Sequence, residues 1–323
     1  MTSRRRSHRR PRSTGDKTEN KQAAGRTQSK RLYAVLLILV LVVGCFVVAE
    51  RAIAGFKWRA FDEAMLDENP AAAITALNEA TAWSWTQART YFAMARVNRL
   101  SQQHGEAFTN LARAENAGYA KDAIAKERLL VHLSDGTRGD LIDLVLADAD
   151  RIANGASPAQ VDGIRVDADV LATCAASCLS RGRGDCFVRA LAALHAAFPS
   201  DVRHHALSAR ASEDAESATK AIGLLQKSLS QRPRHLPANL GLAEAYSLRD
   251  EATKALMAFE RVIAFLEPHV ANGDLLSPGG QELLFARVER IELMSRCQRE
   301  DQAIELAEVF LESLPDHFGI NYR

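Results

Sequence analysis

The sequence predicts an all-α chain in which about seven helix–turn–helix repeats, over residues 55–320, follow one transmembrane helix. Three observations predict it. Ala73, Ala107, Leu141, Phe187, Ala221, Ala255 and Ala303 open seven similar apolar patterns, at steps of 34, 34, 46, 34, 34 and 48 residues. Four steps are equal, and the other two are the same step with 12 or 14 residues inserted; a period that keeps phase this long marks a helical repeat array. Leu32 to Ala49 is an apolar run of 18 residues without a charge. The chain is alanine-rich, only 6% aromatic, and has no alternating apolar–polar run of the kind a half-buried strand shows.

The first 31 residues carry eleven Lys or Arg against Asp16 and Glu19, with little to bury, and read as a disordered cytoplasmic tail. Residues 32–49 follow as the membrane helix; at 1.5 Å per residue they span about 27 Å, enough for a hydrocarbon core. Positive charge stays on the cytoplasmic side, so the repeats are expected in an extracytoplasmic, periplasm-like space. Without the tail the chain has 30 basic and 38 acidic residues, so the formal net charge of +1 hides a basic tail and an acidic body. The tail suits anionic lipid headgroups or serves only to set orientation. A nucleic-acid role for RRRSHRRPR is not expected, because no folded module or interleaved aromatics accompany it.

Three other readings of the N-terminus stay open. Ala52-Ile53-Ala54 resembles a signal-peptidase site, cleavage at which would release a secreted array. Val42-Val43-Gly44-Cys45 resembles a lipobox, although the apolar run continues through Ala49. A buried helix of a soluble protein is argued against by the flanking charges. No proline lies between Leu32 and Leu66, so the membrane helix is expected to run into the first repeat helix. Phe56 and Trp58 then sit either at the membrane interface or in repeat packing.

The repeats follow in order. The first has Phe61, Ala73, Leu77 and Ala80; the second Ala95, Ala107, Leu111 and Ala114. The third, with Leu129, Gly136, Leu141 and Val145, has lost both small alanines. The fourth keeps Ala175, Gly182, Leu191 and Pro199, the fifth Ala209, Ala221, Leu225 and Pro233, and the last Ala303, Ala307 and Pro315. The clearest is the sixth, Pro237 to Pro268. Leu242, Ala243 and Tyr246 share one helical face, and Ala255, Leu256, Phe259 and Val262 share the next. Small Ala243 and Ala255 permit close helix approach, and Pro268 ends the pair. Each repeat is expected to contact mainly its neighbours. The insertions near 153–164 and 269–282, with Gly155, Pro158, Gly273, Pro278, Gly279 and Gly280, are expected as loops or helix ends.

This pattern resembles the tetratricopeptide repeat family: a Leu-Gly/Ala pair, a Tyr three residues on, Ala, an aromatic and Ala on the second helix, and a closing Pro. The resemblance implies a right-handed superhelical array that acts as a protein–protein interaction scaffold. It also implies that the second, fifth, ninth, twelfth and thirteenth positions of each first helix face a ligand. These fall on Arg89, Phe92, Arg96, Arg99 and Leu100 in the second repeat, on Arg203, Ala206, Arg210, Glu213 and Asp214 in the fifth, and on Leu240, Glu244, Ser247 and Leu248 in the sixth. Arg89, Phe92, Arg96, Arg99, Arg203 and Arg210 are the candidate contacts to a protein or peptide partner, weighed against a merely solvated basic face. The family's carboxylate clamp, Lys at the fifth and Asn at the ninth position, is matched by no repeat.

Chemistry-bearing motifs are few. Cys174, Cys178 and Cys186 cluster in the fourth repeat, Cys45 lies in the apolar run and Cys297 stands apart. Core packing, a Cys178–Cys186 disulfide across the turn SRGRGD, and a metal site with His195 as a further ligand are the three readings, in that order. Adjacent His204 and His205 point about 100° apart on a helix, do not chelate together and are expected at the surface. No phosphate loop, GxSxG or HExxH occurs, Ser277-Pro278-Gly279-Gly280 lacks the Lys-Ser/Thr of a nucleotide cradle, and no carboxylate pair reads as catalytic. The expectation is a membrane-anchored, non-catalytic scaffold without cofactor. An accessory subunit of a membrane enzyme or assembly complex, and a processed secreted or lipid-anchored binding protein, are the alternatives.

Overall fold

The computed structural model describes residues 16–81, 87–157, 160–161, 163–201, 203–210, 215–270, 277 and 279–313. Residues 1–15, Pro158, Glu213, Asp214, Gly273, Pro278 and Pro315 lie outside these. Among the described residues the chain is all-helical, with fourteen α-helices and one short β-ribbon. Two compact units divide it, residues 1–53 and 54–323.

The first unit is helical from Asp16, where α1 (Asp16–Leu66) begins. The stretch expected as an unstructured tail is thus helical over its second half, where Lys, Gln, Ala and Arg all favour helix. Over Leu36–Leu66, α1 is long and apolar enough to cross a membrane: an 18-residue window has mean hydropathy 2.5 and is not covered by protein.

The second unit opens with the end of α1. Trp58 is 5% exposed, lies edge-on to Phe61 at 5.7 Å and is covered by the Arg89 guanidinium at 3.9 Å. Trp58 therefore belongs to the core of the helical unit and not to the membrane interface. Phe56 is 68% exposed.

Helices follow in pairs: α2 (Pro70–Thr81) pairs with the end of α1, then come α3 (Gln87–Leu100) with α4 (His104–Asn116), α5 (Lys121–Asp135) with α6 (Gly139–Ala153), and α7 (Ala168–Ser180) with α8 (Gly184–Ala197). Then follow α9 (Arg203–Arg210) with α10 (Ala215–Gln231), α11 (Leu236–Leu248) with α12 (Ala252–Leu266), and α13 (Gly280–Arg296) with α14 (Glu300–Ser313). All seven residues that carry the sequence period are buried, and each is on the second helix of its pair. First helices also touch first helices, α3 with α5, α5 with α7, α7 with α9 and α9 with α11. The third pair departs from this. α5 and α6 touch little and α6 packs on α8 instead, as expected where Leu141 and Val145 replace the small residues that let helices approach.

The backbone repeats with the same phase. Glu68, Gln102, Gly136, Gly182, Asp250 and Gln298 all have φ between 51° and 67°, and each stands five residues before a period-carrying residue. Each ends the first helix of its pair in a left-handed cap; the Arg183 N–H, for example, donates to the Cys178 carbonyl at 2.9 Å and the Glu251 N–H to that of Tyr246 at 2.9 Å. Four of the six are not glycine and carry roughly 1 kcal/mol of strain each. In the fifth pair α10 already includes Glu216, the in-phase position; the turn before it lies outside the described residues.

Two expectations are corrected. The first insertion contains a strand pair, β1 (Gln160–Val161) antiparallel to β2 (Ile164–Arg165), turned at Gly163 with φ 77°. Buried Val161 and Val166 tie it to the core cluster of α5–α8. Contacts are also not confined to neighbouring pairs. The turn between α1 and α2 meets the turn between α10 and α11: the Leu236 N–H donates to the Asp67 carbonyl at 2.9 Å, Arg232 lies 3.8 Å from Asp67, and His235 Nε2 lies 3.8 Å from Glu68. Ala71 is fully buried in the core cluster of α11–α13. The approach is close because Ala71 is small and Gly279 has no side chain: a Cβ on Gly279 would lie 2.9 Å from Ala71 Cβ and 3.2 Å from Leu266 Cδ2.

Candidate functional site

The candidate partner residues sit on first helices, as the period places them, but most are engaged within the chain. Arg89 covers Trp58 and lies 3.9 Å from Asp62. Phe92 stacks on Tyr119 with ring centres 4.4 Å apart, and Arg96 lies 5.9 Å over Phe61. Arg99 donates from Nε to Glu127 Oε1 at 2.6 Å, in a pair with little exposure. Together these side chains clamp α3 between α1 and α5. Arg210 is exposed, and its charge faces that of Glu244, which is also exposed.

The most developed polar site joins α5, the start of α7 and the start of α9. Lys126 on α5 reaches Asp167 at 2.6 Å and Asp169 at 2.7 Å. Arg203 on α9 reaches Asp169 at 2.9 Å and grips Asp201 with Nε and Nη2 at 2.9 and 2.6 Å. Asp167 caps α7 by accepting from the Asp169 and Val170 N–H groups. Burial works to raise the Asp169 carboxyl, but the Lys126 hydrogen bond and the Arg203 and Lys126 charges outweigh it and hold it at about 2. Asp201 is likewise lowered, and Arg203 raised, by their mutual bonds against the effect of burial. Each charge here faces an opposite charge, so the network ties α5, α7 and α9 together. The partners are 43 and 34 residues apart in sequence; pairing charges at the 34-residue step would have found Asp169 with Arg203 but not Lys126.

A second feature escaped the sequence reading. His204 and His205 are buried, at 5% and 6% exposure, instead of lying at the surface. With Val188, Leu191, His195 and Leu224 they line a cavity of about 390 Å³, open on one side. The His204 and His205 ring centres are 3.7 Å apart and those of His195 and His204 4.9 Å. His204 Nδ1–H donates to the Asp201 carbonyl at 2.5 Å. Among the described residues no cluster of His, Cys, Asp or Glu has the arrangement of a metal site.

Burial lowers both histidines, His205 to about 4 with the neighbouring His204 and Lys227 adding to the effect. The unfolded chain binds these protons near 6.5 and the folded chain only at lower pH. Between the two values the unfolded state carries more protons, so stability falls as pH falls from about 6.5 toward 4. The expected loss is on the order of 2 kcal/mol, since water on the open side of the cavity softens the cost. Urea denaturation across that range should show the slope, and His205→Leu should flatten it.

The cysteine cluster is formed. Cys174 and Cys178 are fully buried on α7, Cys186 is half-buried at the start of α8, and all three are free thiols. His195 turns to the histidine cavity and supplies the cluster with no ligand. Cys297 lies 4.0 Å from Thr253 Oγ1, and Cys45 is exposed on the apolar part of α1. No protein-family model matches this sequence, and no curated protein matches it either, so its function is read from these residues.

Proposed function

We propose that this chain is a non-catalytic, membrane-anchored interaction scaffold: a divergent, right-handed tetratricopeptide-like array of about seven repeats, held on the extracytoplasmic side by α1. The observation that carries the reading is the apolar window of α1. Eighteen residues of mean hydropathy 2.5 have no protein over them, and burying such a surface in hydrocarbon is strongly favourable. The eleven cations before Leu32 favour a cytoplasmic N-terminus. Phase-locked left-handed turns at Glu68, Gln102, Gly136, Gly182, Asp250 and Gln298 support a repeated structural unit. The charges of the Lys126–Asp169–Arg203 network are committed to one another, which suits a rigid surface better than a reaction centre. The partner is a protein or peptide that reads exposed Arg210 and the half-buried Arg96, whose guanidinium lies over Phe61.

The test is topological. In a variant lacking the native cysteines, a single cysteine at exposed Glu300 should react with an impermeant maleimide added to intact cells, and the protein should resist alkaline extraction from membranes. Reaction only after lysis would reverse the orientation, and release into the alkaline wash would remove the anchor. Photocrosslinkers at Arg96 and Arg210 should capture one common protein; capture of none would displace the partner face from the first helices.

A further inference from the structure

We propose that Cys186 and Cys178 form a thiol–disulfide exchange pair that takes a small-molecule disulfide as oxidant and closes a staple across the α7–α8 hairpin. The two cysteines belong to different helices but to one turn. Gly182, with φ 67°, lets α7 end in a left-handed cap, and the Arg183 N–H donates to the Cys178 carbonyl at 2.9 Å. This cap holds the last turn of α7 against the first turn of α8. The Cys178 thiol then lies against both Cys174, one helical turn back, and Cys186.

Access sets the order of events. Cys174 and Cys178 are fully buried, while Cys186 reaches solvent, so only Cys186 can meet a free disulfide. Its thiolate attacks one sulfur of RSSR, forming Cys186–S–S–R and releasing RS⁻. Cys178 then loses its proton, and its thiolate attacks Cys186 Sγ. The Cys178–Cys186 bond forms, the bond to R breaks, and the second RS⁻ leaves. Two protein thiols are oxidised, RSSR is reduced, and the two thiol protons end on two RSH.

The surroundings favour this chemistry. The Arg183 guanidinium stands beside both sulfurs and remains partly in water, paired with Asp143 at 3.3 Å. An adjacent cation and partial exposure are what distinguish reactive cysteines from structural ones. The hydrogen bond from Cys174, with Arg183 in support, lowers Cys178 to about 7 against the effect of burial, while the same bond and burial raise Cys174 and keep it a thiol. Cys174 is thus a positioning residue that stabilises the Cys178 thiolate and stays out of the disulfide. The staple is independent of the scaffold reading, since it forms in the isolated chain.

The test uses the reduced, full-length protein in detergent, exposed to oxidised glutathione, quenched with N-ethylmaleimide and mapped by mass spectrometry. The wild type should lose two alkylatable thiols of its five, with Cys178 joined to Cys186 and Cys174 still alkylated. Cys178→Ser should stop as a glutathione adduct on Cys186, and Cys186→Ser should leave Cys174 and Cys178 reduced. A Cys174–Cys178 bond, a persistent Cys186 adduct in the wild type, or Cys178 and Cys186 both still alkylated at full oxidant would each overturn the proposal. Wild-type mapping alone decides the pairing, so the result stands even where a variant folds poorly.

Discussion

Gly279→Val should destabilise the helical body by about 3 kcal/mol and should loosen two places distant in sequence at once. The residue has φ 82°, which a β-branched side chain adopts only under strain. Its Cβ would press on Ala71 Cβ at 2.9 Å and on Leu266 at 3.2 Å, and both are fully buried. Overpacking of this kind costs roughly 1–3 kcal/mol, and the backbone strain adds about 1–2. Gly118→Ala is the control. It has the same backbone sign, φ 83°, but nothing within 4 Å, so only the strain should be measured. Hydrogen exchange gives the sharper result. If the first pair closes on the sixth through Asp67, Ala71 and Leu236, amides near 67–73 and 236–240 should lose protection together. Loss confined to α12 and α13 would mean that the array behaves as a chain of neighbours.

That closure was not legible in the sequence, and the reason is physical. Periodic burial reports which face of a helix is apolar, and it reported correctly for Ala73, Ala107, Leu141, Phe187, Ala221, Ala255 and Ala303. It carries no information on how far the pairs rotate as they accumulate, so nothing marked Asp67 and Leu236 as partners. The left-handed turns were half hidden as well: Gly136 and Gly182 announce theirs, whereas Glu68, Gln102, Asp250 and Gln298 accept strain without a compositional sign. His204 and His205 read as surface residues because two adjacent polar residues usually are. They are buried because α8, α9 and α10 pack around them, and their rings line the cavity left between these helices. The candidate arginines were found by phase, but phase does not tell a ligand-facing cation from one that clamps its own neighbours. Arg99 and Arg203 clamp in ion pairs and Arg96 lies over Phe61, whereas Arg210 is exposed.

Arg203→Ala should be the most damaging substitution in the polar interior. The guanidinium satisfies Asp201 from two nitrogens and Asp169 from a third, and Asp201 keeps only 16% of its side-chain surface exposed. Removing one partner of a buried pair costs roughly 3–5 kcal/mol, because the stranded charge remains. Here about 2–3 kcal/mol is expected, since Asp169 is 48% exposed and keeps Lys126. Arg203→Lys should recover only part of it, because an ammonium cannot span both carboxylates with the planar fork. The pH dependence separates this from lost packing. Wild-type Asp169 binds its proton at about 2; with Arg203 gone its carboxyl and that of Asp201 should titrate nearer the ordinary range. A carboxylate depressed in the folded state adds stability that is present above its unfolded value near 4 and lost as pH falls toward the folded one. The variant should therefore lose less stability than the wild type between pH 4 and 2, so that the gap between them narrows. A gap that stays constant with pH would assign the effect to packing of the arginine stem and would remove the ion network as the element that holds α5, α7 and α9 in register.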